Sequence, residues 1–175
     1  MLRLIPLLLC ISFSAFSAPD FFTILSAQHY VDPLPLMQQV EQRNIGLITE
    51  FSTTFDDESA EAIYKISVIA PYKEVKTLLV FNAKTAKLIN ETSMPFSSDD
   101  VGKLNAVVFM KINSISFSSA LKQLISQRVV YLKRVKVDSD LGINYLQVEL
   151  SDPQGNHVLA FDFDHQKPLP ILKWH

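Results

Sequence analysis

Tyr64-Lys65-Ile66-Ser67-Val68 and, 82 positions later, Leu146-Gln147-Val148-Glu149-Leu150 decide how this chain reads. Both stretches alternate apolar and polar residues, the period of a strand with one face buried. The same offset carries Leu79-Val80-Phe81-Asn82 onto Phe161-Asp162-Phe163-Asp164, and the acidic turn Asp56-Asp57-Glu58 onto Asp138-Ser139-Asp140. Apolar positions fall on apolar positions, although few residues are identical. A one-residue slip would turn every side chain of a strand to the wrong face. An offset that keeps the direction of several strands therefore points to two copies of one small α/β unit.

The first unit opens at Asp32-Pro33, where Asp suits a helix N-cap and Pro its first turn. Leu36, Met37 and Val40 follow at helical spacing, with Gln38, Gln39, Glu41 and Gln42 on the other side. From Ile45 the period becomes two: Ile45, Leu47, Thr49, Phe51, Thr53 and Phe55 share one face, and Glu50, Ser52 and Thr54 the other. Polar turns at 56–59, 71–74 and 83–86 then separate strands at 64–68, 75–82 and 87–91. In the second unit Ser116 or Ser118 caps a helix whose stripe is Ala120, Leu121, Leu124 and Ile125. Strands are expected at 129–137, 143–150 and 157–164, with turns at 138–142 and 152–156 and a short end at 170–174. The helices align better at an offset of 84, an even difference that leaves every strand facing the same way.

The expected class is α+β: two tandem repeats, each a helix followed by a three- or four-stranded antiparallel meander. The expected organisation is a signal peptide at 1–17, a first unit with an N-terminal extension at 18–92, a connection at 93–111 and a second unit at 112–175. In the connection Ser98-Asp99-Asp100 has the look of a helix cap, and Leu104, Val107 and Val108 suggest a short buried helix. Residues 19–31 carry no pattern that places them.

The chain begins as exported chains do. Arg3 is followed by an apolar run at 4–16 and then by small residues. The run is shorter than the about 20 residues a bilayer-spanning helix needs, and it reads as a signal cleaved near Ser17/Ala18. Cys10 follows Leu9 where a lipid-attachment site needs a small residue, so it leaves with the signal. A cysteine-free mature chain excludes disulfides, thiolate nucleophiles and Cys-ligated metals. Without Arg3, the 16 Lys+Arg become 15 against 18 Asp+Glu. No basic stripe appears, so no nucleic-acid partner is expected. A second long apolar segment is missing too, so no stable membrane insertion is expected after cleavage. The expected location is the periplasm or the secreted fraction.

A helix, a meander and a closing strand, with a Tyr-x-Val-like start and an Asp-x-x-Thr-Gly-Lys turn, resemble the PepSY domain family over about residues 32–92 and 112–174. In the first copy Tyr64-Lys65-Ile66 and Asn82-Ala83-Lys84-Thr85-Ala86-Lys87 carry the likeness. Asn82 stands where the family favours Asp, and Ala86 where it favours Gly. In the second, Ser116-Phe117-Ser118-Ser119-Ala120-Leu121 resembles the helix start, and Tyr145 and Asp164 fit the strands. His165-Gln166-Lys167-Pro168 departs from the turn pattern. The resemblance implies an exported or envelope-facing protein that restrains peptidases, and no catalytic residue carries over from it.

The residues themselves offer little chemistry. His157 and His165 would share a strand face but lie roughly 27 Å apart along it, too far for one metal. His29 and His175 lie near the ends. Asp162 and Asp164 would form a pair about 7 Å apart on one strand, better read as the polar face of an amphipathic strand than as an acid–base pair. The acidic turns at 56–58 and 138–140 read as solvated hairpins rather than Ca²⁺ sites. No nucleophile motif or phosphate loop is present. Phe51, Phe55, Phe81, Phe161 and Phe163 read as core.

Tyr72, in a turn, and Trp174, near the C-terminus, are less clearly internal and are the candidate partner contacts. The expectation is a non-enzymatic exported binding protein with no catalytic, metal or cofactor site. Its partner is a protein or peptide of the cell envelope, with a protease as one version, met through an exposed strand edge or sheet face. The rivals are a small-molecule or lipid module, marked by a cavity of roughly 300 Å³ between helix and sheet, and a structural subunit of an envelope assembly.

Overall fold

The computed structural model describes residues 21–43, 45–56, 59, 61–125 and 130–169. Four helices, α1 (Phe21–Ser26), α2 (Pro33–Gln42), α3 (Val101–Ile112) and α4 (Phe117–Ile125), accompany eight strands. These are β1 (Leu47–Phe55), β2 (Ala62–Ala70), β3 (Val75–Asn82), β4 (Leu88–Pro95), β5 (Tyr131–Asp140), β6 (Ile143–Asp152), β7 (Gly155–Asp162) and β8 (Lys167–Leu169). The class is α+β, and all the strands pair antiparallel in one sheet of order β4-β3-β2-β1-β5-β6-β7-β8. Each hairpin neighbour pairs with the next, and the two four-stranded stretches meet where β1 lies against β5. They lie side by side as one continuous sheet.

That meeting is short. It consists of Glu50 opposite Lys136, Phe51 opposite Val135 and Ser52 opposite Arg134. A bulge lies beside it in each strand, between Ile48 and Glu50 in β1 and between Leu132 and Arg134 in β5. A bulge leaves backbone groups off the ladder. Threonine hydroxyls of β1 meet two of them: Thr49 donates to the Ser67 carbonyl at 3.3 Å and Thr53 to the Leu132 carbonyl at 2.7 Å. The β1 bulge also corrects the uninterrupted alternation expected from Ile45 to Phe55, because it buries Ile48 beside Thr49.

One face of the sheet carries Phe51, Tyr64, Ile66, Leu79, Val135, Val148 and Phe161, all buried. Against it lie Leu36, Met37 and Val40 of α2 and Phe117, Ala120 and Leu121 of α4. Full burial of each large apolar side chain contributes on the order of 1.5–3 kcal/mol. Asp32 caps α2 by accepting the Leu34 N–H at 3.0 Å, as its sequence suggests. The segment 21–31 is also placed. Phe21 meets Phe55 edge-on and Phe22 meets Tyr131, one contact on each side of the seam. Tyr64 then donates its hydroxyl to the Val31 carbonyl at 2.7 Å.

The opposite face takes α3. Ser97 and Asp100 form a capping box ahead of it, and the buried Asp100 carboxylate also accepts from Lys76 at 2.8 Å. Lys103 donates to Glu50 at 2.8 Å, and Arg134 donates to the other Glu50 oxygen. Glu50 and Lys76 point away from Phe51, so these pairs put α3 on the second face. Ala106, Val107 and Met110 are buried beneath it. The expectation that Val108 is buried is corrected: helical geometry turns it outward, 42% exposed. Among the described residues no single helix is long and apolar enough to cross a membrane.

Several expected boundaries move. The segment 138–140 is strand and not turn, since β5 runs to Asp140 and pairs it with Ile143. Asp162 ends β7, so Asp164 and His165 lie in the following turn. They share no strand face with Asp162 or His157. β4 extends to Pro95, beyond the strand expected at 87–91. Residues 1–17, Val129 and the short end at 170–174 lie outside the described residues.

Burial alone would raise the pKa of Glu50. The hydrogen bonds and charges of Lys103 and Arg134 outweigh it and hold the carboxyl below its ordinary 4.5. A depressed folded pKa gives stability that is present above 4.5 and lost as pH falls through the folded value. Glu50→Gln is expected to lower the unfolding free energy by about 1–2 kcal/mol near neutral pH. The figure allows for the water that reaches Arg134. Urea melts should show this gap closing in acid, and a gap independent of pH would refute the ion-pair role.

Candidate partner-binding surface

Tyr72 stands in a short 3-10 turn, Pro71–Lys73, between β2 and β3. Pro71 presets the backbone for that turn, and Glu74 closes it in the left-handed region at φ 53°. The Tyr72 side chain is 85% exposed. The Lys111 ammonium of α3 lies 4.1 Å from its ring centroid, a cation–π contact. Beneath them opens a cleft of about 270 Å³ lined by Ile45, Leu47, Ala70, Pro71 and Lys111. Gly46 forms part of the floor, where a Cβ would collide with the Ile69 carbonyl.

α3 also carries exposed apolar residues. Val101, Val108 and Ile112 line the outer side of α3, and Ile112 is 77% exposed. A helix apolar on both sides is normally covered on both, yet α3 has its inner side on the sheet and its outer side in solvent. At the sheet's edge β4 is exposed along all eight of its residues. Among the described residues the opposite edge is β8, Lys167–Leu169, which contains Pro168.

Of the two expected contacts, Tyr72 is exposed in the β2–β3 turn, and Trp174 lies outside the described residues. The expected core aromatics Phe51, Phe81, Phe161 and Phe163 are buried, and Phe55 is partly so. Leu104, Val107 and Val108 read in sequence as one buried stripe, and the outer strip of α3 is a second stripe. The signal was present: Val101, Leu104, Val108 and Ile112 recur at helical spacing, offset from Ala106, Val107 and Met110.

The other candidates are structural. Asp162 caps the β7–β8 turn: one oxygen accepts the Asp164 and His165 N–H groups at 2.8 and 3.1 Å, and the other meets the His165 ring at 2.7 Å. Burial would raise its pKa, but those hydrogen bonds win and hold it below the usual carboxylate range. Asn82 does the same work in the β3–β4 turn, accepting the Lys84 and Thr85 N–H groups at 3.0 Å. His157 meets Asp152 at 2.9 Å, far from any second ligand, and the described residues contain no group of three or more His, Cys, Asp or Glu suited to a metal. Cavities of about 630 and 200 Å³ open at the helix ends around Ser116, where Glu41 of α2 accepts from Ser116, Ser118 and the Ser118 N–H at the start of α4.

No protein-family model and no curated protein matches the chain. Among solved structures, a candidate lipoprotein of Clostridium difficile 630 is similar at 14% identity and a TM-score of 0.46, covering 83% of this chain and 95% of that one.

Ala86 and Gln166 close their turns in the left-handed region, at φ 54° and 49°. A side chain there is strained relative to glycine. Ala86→Gly and Gln166→Gly are each expected to stabilise the fold by about 0.5–1 kcal/mol, read as additive shifts in urea midpoint.

Proposed function

We propose that this chain is an exported, non-catalytic binding protein made of two PepSY-like units, engaging a protein or peptide of the cell envelope through the Tyr72 surface. The duplication is supported by matched irregularities. Phe51 pairs with Ile66 as Val135 pairs with Val148, at offsets of 84 and 82. Ile66 pairs with Leu79 as Val148 pairs with Leu159, at offsets of 82 and 80. The first two hairpins of the second half are each two residues shorter, an even change that keeps side chains on their faces, and the third, Phe161 to Pro168, keeps the span of Phe81 to Leu88. The bulges fall at 48/50 and 132/134, again 84 apart. Asn82 and Asp162 cap equivalent turns, which moves the second family-like turn to Asp162-Phe163-Asp164-His165-Gln166-Lys167 and gives it the capping Asp the family favours.

The observation that carries the binding reading is Tyr72, exposed and held over an apolar cleft by Lys111. Ordering a large aromatic in solvent offers a partner contact area with little conformational entropy left to lose. The cleft accepts a side chain and the strip along α3 extends the footprint. Restraint of a peptidase is the version that the family resemblance favours.

A photo-reactive phenylalanine analogue replacing Tyr72, activated in cells, is expected to crosslink one envelope protein. Tyr72→Ala should reduce co-purification of that protein at least about tenfold, the size of an anchor loss, with an unchanged melting temperature. If the captured protein is a peptidase, the purified chain should slow its turnover and Tyr72→Ala should not. Undiminished co-purification with Tyr72→Ala would overturn the reading.

A further inference from the structure

We propose that a second copy of this chain adds to the sheet at β4, antiparallel and about a two-fold axis at Thr92. This rests on the edge strand and is independent of the partner reading at Tyr72. An edge strand presents unpaired backbone donors and acceptors, and folds usually blunt such edges with short strands, lysines or proline. β8 is blunted in this way. β4 carries such devices only at its ends, a bulge at Ile89 and Pro95, so the exposed run from Asn90 to Met94 between them is open, with Glu91 as its one charged residue and no lysine. Arg43 of the same chain pairs with Glu91 at 3.2 Å.

The pattern along β4 selects the occupant. Val80 pairs with Asn90 and Phe81 with Leu88, so Ile89 is an extra, bulged residue. Pro95 ends the strand at the other side. Regular edge therefore runs from Asn90 to Met94, and its centre is Thr92. A two-fold axis normal to the sheet must set a residue against its own copy, because paired residues share a face. With the axis at Thr92, threonine meets threonine, a favourable cross-strand pair. Glu91 then faces Ser93 and Asn90 faces Met94. The bulged Ile89 of one copy falls opposite Pro95 of the other, so both irregularities coincide at each end of the paired stretch. An axis at Glu91 would oppose two carboxylates, and one at Asn90 would run the bulge into the paired stretch.

The test is sedimentation velocity of the purified protein over a concentration series, with oxidative crosslinking. A reversible monomer–dimer equilibrium is expected. Thr92→Lys and Thr92→Glu each place like charges across the axis and should raise the dissociation constant about fivefold. An equimolar mixture of the two should recover dimer as the mixed pair. In a chain carrying Cys10→Ser, Thr92→Cys should form a disulfide dimer under mild oxidation, whereas Asn90→Cys, opposite Met94, should not. Circular dichroism identical to the unmodified protein shows that these exposed substitutions leave the fold intact. Thr92→Lys is expected to retain crosslinking at the Tyr72 position, so failure here and failure there are distinguishable. A monomer at every concentration, a dimer indifferent to Thr92→Lys, or Asn90→Cys linking as well as Thr92→Cys would each overturn the proposal.

Discussion

Glu50 sits at the middle of the sheet, on a strand that pairs with its neighbour over three residues between two bulges. Such a short ladder supplies little pairing of its own. Side chains on both faces reinforce it. On one face Phe51 and Val135 bring the two halves into one core beneath α2 and α4. On the other, a half-buried carboxylate is satisfied at once by Arg134 of β5 and Lys103 of α3. A buried charge is costly unless paired, so Glu50 draws its two cations to one place. In doing so it sets where α3 crosses the sheet.

The position of α3 has consequences at both its ends. Asp100 ties its start to Lys76, while its end delivers Lys111 over the ring of Tyr72. The inner apolar stripe is then consumed by the sheet and the outer stripe is left in solvent. The exposed patch is thus a by-product of how the seam is held: the same helix that bridges the two halves presents Ile112 and sets Lys111 beside Tyr72. The β4 edge lies outside this device. Its eight residues are all exposed.

Much of the architecture was legible in the residues. The helix at Asp32-Pro33, the alternation of Tyr64, Ile66 and Val68, and the family of equivalent apolar positions all follow from local propensity and period, which neighbouring residues determine. The exact offsets were less legible. A constant 82 hides a drift from 84 to 80, because two hairpins after β5 are each two residues shorter than those they align with, and an even difference preserves the apolar pattern. That drift placed the second turn at Asp164 instead of Asp162. The bulges at Ile48/Glu50 and Leu132/Arg134 leave no compositional mark, since a bulge is a property of pairing rather than of one strand. Residues 21–31 gave no pattern because their order depends on distant groups: Phe55, Tyr131 and the hydroxyl of Tyr64.

By itself, then, the sequence determined the element types, the faces of most strands and the turn that carries Tyr72. These depend on interactions within a few residues of chain, where spacing and chemistry are visible together. Only the tertiary structure decided that the halves share one sheet through β1 and β5, that Glu50 gathers Lys103 and Arg134, and that α3 leaves one apolar side uncovered. Those outcomes join residues separated by 53 and 84 positions. At such distances in the chain, the partner of a charge is chosen by burial and packing geometry, which no local pattern records.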